Sequence, residues 1–402
     1  DDFLKPDRVV IGTDDARVAT LMKALYDPFV RTGNPILIMD NASAELTKYG
    51  ANALLASRIS FMNEIANLAD KVGADVPKAL PPMGKDLPRN RLGFAKWLLD
   101  KDHPLTGRVT VNRFWQELFG QGLVRTAGDF GVTGEQPSHP ELLDWMAEEF
   151  ESHWDIKRFF KLLVTSATYR QAATATKDKL EKDPNNIYLS RGPRFRMDAE
   201  MVRDYALAAS GLLVPKIGGP SVRPYQPEGV WEAVAMIGSN TRDYRRDSGD
   251  NLYRRSMYTF WKRAAPPASM EVMNAPNRET CAVRRERTNT PLQALLTLND
   301  IQFVEAARVL AEKAIAAGDT DDRRIDFVAK RLLARPLSAK ELEIVKGSLA
   351  ELTKEYAAKP EEAKKLIAVG EKKADAKLDA GQLAAWTMLC NQLLNLDEVL
   401  NK

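Results

Sequence analysis

The sequence predicts a mainly α protein. It opens on a short β-α-β-α remnant of a doubly wound α/β domain, followed by a large helical domain with long irregular loops rich in Arg, Pro and Gly. Three observations carry this. Two short strand-like runs, residues 8–12 and 35–39, alternate with helix-patterned segments and then do not recur. Beyond residue 90, apolar residues recur at helical spacing between caps and Gly stops. Between residues 214 and 290 that periodicity fades into Pro, Gly and Arg.

Residues 8–12 are a β-branched run closed by Gly12, the pattern of a buried strand. Asp14 or Asp15 caps the next helix, whose apolar stripe is Ala19, Met22, Leu25, Tyr26 and Phe29. Residues 35–39 are the second strand. Asn41 or Ser43 then caps a long helix to about Val72, with Gly73 at its end. Residues 77–89, with Pro77, Pro81, Pro82 and Gly84, read as a junction.

Residues 91–99 and 105–119 are amphipathic helices, the second ended by Gly120 and Gly122. Ser138 is expected to cap a helix that turns Leu142, Leu143, Trp145, Met146 and Phe150 inward. Residues 156–169 and 198–213 are helical. Thr290 caps one helix to about Ala317, with Pro291 at its first position. Ser338 and Glu341 form a capping box for the next. Residues 357–380 read as a solvated helix or linker, and 381–400 as a terminal amphipathic helix. The expected organisation is 1–76, a junction 77–89, a helical domain 90–355, and 356–402 as its charged helix or linker and last helix.

At 402 residues the chain has room for two or three domains and a sizeable core. Its 44% hydrophobic and 28% charged residues exclude collagen-like, disordered and disulfide-dense classes. A net charge of +3 gives no global support for nucleic-acid binding. Neither Cys281 nor Cys390 sits in a CxxC or CxxCH motif, so zinc-ribbon and attached-haem chemistry have no footing. With only His103, His139 and His153 present, a multi-histidine metal site would need nearly all of them, and none is expected. No apolar run is long enough to span a bilayer. The chain starts at Asp1 without Met or a signal-peptide pattern, and is expected to be a fragment of something longer.

Residues 2–12, 43–53 and 59–67 closely resemble UDP-glucose 6-dehydrogenase. The resemblance implies the end of a nucleotide-binding domain and a long central helix that forms a dimer core, here residues 42–72. The family's catalytic Lys and Asn match Lys48 and Asn52, four apart on one helix face, suited to stabilising an oxyanion. They are expected to be inactive. No GxGxxG follows a strand before residue 76, so the NAD site is incomplete. The family's nucleophilic Cys context is missing as well, and residues 279–284 around Cys281 do not match it.

A second resemblance covers the rest. Asn112-Arg113-Phe114-Trp115, residues 138–145, 165–171, 192–200 and 284–295 resemble the C-terminal domain of planctomycete-type proteins that also carry cytochrome c modules. That domain has no established function. The resemblance implies an extracytoplasmic setting with cytochrome c modules as partners, although no export signal is present here.

Three clusters could carry chemistry. His139 lies near Asp129 and Glu141 and is either a general base or a cap residue at a helix start. Arg194, Arg196, Asp198, Glu200, Arg203 and Asp204 form a dense charge cluster, either a metal, anion or sugar site or, the favoured reading, an ion-pair network that positions helices. Trp261, Arg284, Arg285 and Arg287 belong to a stretch where arginines interleave with aromatics. Arginine forks bind carboxylates and sulfates bidentately, which suits acidic or sulfated glycans.

The leading reading is an α-rich binding or scaffold module. It would be accessory to an extracytoplasmic cytochrome-linked or polysaccharide-degrading system, with a catalytically incomplete dehydrogenase segment fused at its N-terminus. Two alternatives stand beside it. One is a hydrolase or sugar-modifying enzyme using His139 and the Asp198–Asp204 cluster. The other is an inactive remnant of an NAD-dependent UDP-glucose 6-dehydrogenase. No bound cofactor is expected.

Overall fold

In the computed structural model the described residues are 9–13, 15–26, 36–39 and 81–402, apart from Pro82, Val132, Ile237, Asn240 and 279–281. The helix expected over residues 42–72, with Lys48, Asn52 and the dimer contact it implies, lies outside them, as does Cys281.

The chain divides between His103 and Pro104 into two compact units. In the first, β1 (Val9–Gly12) and β2 (Ile36–Met39) pair in parallel, Val9 opposite Ile36 and Gly12 opposite Met39. The parallel pairing requires a crossover, and α1 (Ala16–Tyr26) lies within it. Asp15 is the residue that caps α1, its Oδ1 accepting from the Arg17 amide at 2.7 Å. In α2 (Arg91–Leu98) the Asn90 side chain accepts from the amides of Leu92 and Gly93. The Trp97 indole donates to the Pro81 carbonyl at 2.9 Å and meets His103 edge-on.

The second unit holds two cores. The smaller joins α3 (Thr106–Phe119), α4 (Pro140–Glu151) and α5 (Ile156–Thr165). Trp115, Leu118 and Phe119 pack there with Leu143, Met146, Phe150 and Phe159. Asn112 is wholly buried on α3, and its amide both donates to and accepts from the Val124 backbone, at 3.0 and 2.9 Å. One side chain thus satisfies a buried peptide group and ties the following loop to the helix. Ser138 does not cap α4. His139 occupies the cap position without a side-chain bond, and Pro140 starts the helix, where its missing N–H costs nothing.

The larger core gathers α7 (Ala199–Ser210), α10 (Ile301–Ala317), α11 (Asp321–Leu333), α12 (Ala339–Ala358) and α14 (Ala380–Leu394). In the chain, α6 (Lys177–Lys182) lies between the helices of the two cores. The region 214–290 is irregular as expected, holding short 3-10 turns and the brief α8 (Ala268–Val272). The helix expected from 291 to 317 is two. Asp300 takes an extended conformation, ends α9 (Pro291–Asn299) and caps α10 by accepting from the Gln302 amide at 2.9 Å. A short acceptor that can bond its own backbone competes with the helix at that point. The capping box at Ser338 and Glu341 forms as read. α12 runs on to Ala358, and α13 (Pro360–Ile367) follows. The expected terminal helix 381–400 is not amphipathic. α14 buries Leu383, Ala384, Ala385, Trp386, Leu389 and Cys390 to 2% exposure or less, and a short α15 (Asp397–Leu400) follows it. Small alanines let α10 and α14 approach closely, so α14 is a central helix. Burial pushes the Cys390 thiol pKa up.

Buried arginines give the irregular region its order. Arg254 donates to the carbonyls of Lys216, Gly218 and Pro220 and lies 3.8 Å over the Tyr258 ring. Arg203 donates to the carbonyls of Leu252 and Arg254 and to Gln302 Oε1. A loop without ladder partners needs such donors for its carbonyls. A second network centres on Glu305, which is 1% exposed. It accepts from Tyr225 and Tyr253 hydroxyls at 3.0 and 2.9 Å and from the Lys372 amide at 2.7 Å.

Candidate functional site

A cleft of about 700 Å³ in the second unit is walled by the end of α3, the 185–196 segment and the 284–289 segment. Six arginines line it: Arg125, Arg194, Arg196, Arg284, Arg285 and Arg287. Its floor is made where α3 stops. Gly120 has φ +82°, the left-handed C-cap conformation that glycine adopts without cost. A Cβ at Gly120 would stand 2.6 Å from the Phe195 ring. The Arg287 guanidinium lies over that ring at 4.2 Å and donates to the Gly120 carbonyl at 3.0 Å. The segment carrying Phe195 and Arg196 is tied to the C-terminus by an isolated antiparallel bridge, in which Phe195 exchanges both backbone bonds with Lys402.

The cleft's arginines are not equivalent. Asp198 and Glu200 lie behind Arg285 and Arg287. Arg285 is 2.5 Å from Glu200 and 3.8 Å from Asp198, and Arg287 Nε is 3.5 Å from Asp198. Burial pulls the Arg285 pKa down, but Glu200 and Asp198 outweigh it and the pKa rises. Arg194 pairs with Asp397, and Arg125 lies 4.0 Å from Glu135. Arg196 and Arg284 have no acidic partner among the described residues. Among the described residues one carboxylate, Glu286, lines the cleft.

The structure therefore brings together Arg194, Arg196, Arg284, Arg285 and Arg287, with Asp198 and Glu200 behind two of them. Arg203, Asp204 and Trp261 do not line this cleft. Arg203 is 3% exposed and faces the 252–256 loop, where Asp204 accepts from the Ser256 amide and hydroxyl, both at 2.7 Å. Trp261 donates to the Asn277 carbonyl at 3.0 Å and lies beneath the Arg278 guanidinium. His139 does not line the cleft but Ser138 does, and the His139 Nδ1 lies 3.0 Å from the Ser138 hydroxyl. No carboxylate contacts His139 among the described residues. Phe195 and Asn289, within the segments 192–200 and 284–295, also line the cleft, as do Arg125 and Asn185, which were not singled out by sequence. Arg125 and Asn185 lie apart from the candidate clusters in the chain, and only the fold gathers them there.

The chemistry available is that of planar N–H donors and amides facing a solvent-reachable space, suited to carboxylate or sulfate groups. Among the described residues, no group of three or more His, Cys, Asp or Glu side chains could hold a metal ion. No helix among them is long and apolar enough to cross a membrane.

Comparison with known proteins gives two matches on different parts of the chain. Residues 90–349 match the family PSD1, described as a protein of unknown function (DUF1553). Residues 42–95 match the central domain of the UDP-glucose/GDP-mannose dehydrogenase family. UDP-glucose 6-dehydrogenase of Rickettsia bellii is 41% identical over 95 residues, 24% of this chain and 21% of that protein. The enzyme of Pseudomonas aeruginosa is 44% identical over 86 residues, 21% and 19% of the two chains. That of Rhizobium meliloti is 32% identical over 151 residues, 32% and 35%. The chain thus spans between about a fifth and a third of these relatives' length. No solved structure matches it. The two family matches support a chimeric chain.

Proposed function

We propose, given that this chain belongs to the PSD1 family of proteins of unknown function (DUF1553), that its helical body is a binding module for acidic or sulfated saccharides. The observation that carries this is the convergence of six arginines on one concave space with amide and aromatic walls. Guanidinium forks match carboxylate and sulfate geometry, and the amides offer partners to sugar hydroxyls. Ion pairs already compensate four of the six arginines, and the whole chain carries only +3. This argues for selective recognition over the broad positive field that nucleic acid requires.

The resemblance of the helical segments supports an accessory role outside the cytoplasm, beside cytochrome c modules or polysaccharide-degrading enzymes. In this reading residues 90–355 and 356–402 form one domain, joined through 77–89 to residues 1–76. An enzymatic reading has less to draw on. Asp198 and Glu200 are committed to Arg285 and Arg287, and His139 lacks a carboxylate partner among the described residues. Titration calorimetry with a polyuronate and a sulfated glycan should show saturable binding that weakens between about 50 and 200 mM salt. No binding of either at the lower salt would contradict the proposal.

We propose that residues 1–76 are a segment derived from a UDP-glucose dehydrogenase that has no dehydrogenase activity in this chain. This chain carries no GxGxxG, and it covers a minor part of the dehydrogenases it resembles. UDP-glucose and NAD supplied to the purified chain should yield no NADH. Sustained turnover would show that the segment is still an enzyme.

A further inference from the structure

We infer that Arg196 is the anchor of the cleft and grips a single acid group, carboxylate or sulfate ester, on the bound saccharide. The inference rests on the reading of the cleft as a saccharide site. Arg196 lines the cleft half-buried, with no acid, carbonyl or ring partner among the described residues, and its Nε is buried without an acceptor. Among the described residues Arg254, Arg287 and Arg308 also have a buried Nε without an acceptor, but each is engaged through its terminal nitrogens, as Arg196 is not. Arg191, Arg203 and Arg254 each donate to carbonyls, Arg308 to Glu312 and a carbonyl, and Arg223 lies over the Phe260 ring. Inside the same cleft, Arg285 and Arg287 already have Glu200 and Asp198.

A guanidinium withdrawn from water without a counter-ion is costly, and that cost is removed when an anion arrives. Desolvation also holds the Arg196 pKa below the ordinary arginine value, consistent with a missing partner. The same wall sets the number of acid groups. Arg284 is exposed and has no partner among the described residues, but its neighbour Glu286 also lines the cleft and opposes a second anion there. A densely charged polymer is therefore disfavoured against a sugar bearing one acid group per bound unit.

The test uses the full chain, a galacturonate oligosaccharide, its full methyl ester and a sulfated oligosaccharide, followed by calorimetry. The ester has lost only its charges, so wild type should bind it at least about ten-fold more weakly than the acid. The uronate and sulfate arms show which acid group the site prefers. Arg196→Gln should lose about the same factor while melting at the wild-type temperature or above, because it removes an unpartnered charge. Arg284→Gln should lose only about two- to three-fold, as expected of an exposed charge. Acid and ester binding alike, or Arg196→Gln binding like wild type, overturns the anchor while the module reading stands. A failure of wild type to bind either acid oligosaccharide overturns the module reading itself.

Discussion

Arg203→Met should destabilise the fold by about 3–5 kcal/mol and leave the saccharide affinity of the folded protein unchanged. Arg203 sits in the charge cluster that a reading of sequence makes a ligand site. In the fold it is buried, and its guanidinium satisfies the carbonyls of Leu252 and Arg254 and the Gln302 side chain. Burial lowers its pKa to about 10, with Asp204 and Asp300 opposing that shift. Methionine fills similar space but strands those acceptors and leaves the half-buried Asp300 without its nearby cation. Urea unfolding reads the first effect and calorimetry on the folded variant the second. Lost binding at wild-type stability would return Arg203 to the site.

Glu305→Leu should cost on the order of 4 kcal/mol, because two phenols and an amide lose their acceptor in a dry interior. The same network sets a pH dependence. Burial, and then the Glu305 charge, push the Tyr225 pKa from 10 up to about 12, and Tyr253 is raised too. Folded tyrosines keep protons that the unfolded chain releases near 10. Their contribution is therefore complete below pH 10 and declines as pH rises from 10 through 12. Wild type should lose stability over that window more steeply than Glu305→Leu, measured as urea midpoints against pH. Parallel profiles would show that Glu305 does not set the tyrosine pKa.

Local signals were the legible ones. Thr290 with Pro291 and Ser338 with Glu341 start helices as their side chains and spacing require. The mainly helical class and the weakly periodic 214–290 region also follow from pattern. What sequence could not place depends on partners far along the chain. Glu305 and Arg308 look like a solvated helix face, yet the Glu305 partners lie 80, 52 and 67 residues away. α14 reads as a surface helix until α10 covers it. The charge cluster at 194–204 was visible, but its division was not. Asp198 and Glu200 turn toward the cleft arginines, whereas Arg203 and Asp204 turn toward the 252–256 loop. Positions on one helix point to different faces, and only the packing of α7 decides which face meets the cleft. The aromatic-rich arginine stretch separated in the same way, Arg254 into a structural role and Arg284–Arg287 onto the cleft wall.

Hydrogen–deuterium exchange of the full chain would reveal an acidic saccharide seated in the arginine cleft. With a saturating galacturonate oligosaccharide, exchange should slow at residues 193–197 and 284–289, the two walls that carry Arg196 and Arg284. It should stay unchanged in the 252–256 loop held by Arg203. Slowed exchange confined to other segments, under conditions where calorimetry records binding, would contradict the account.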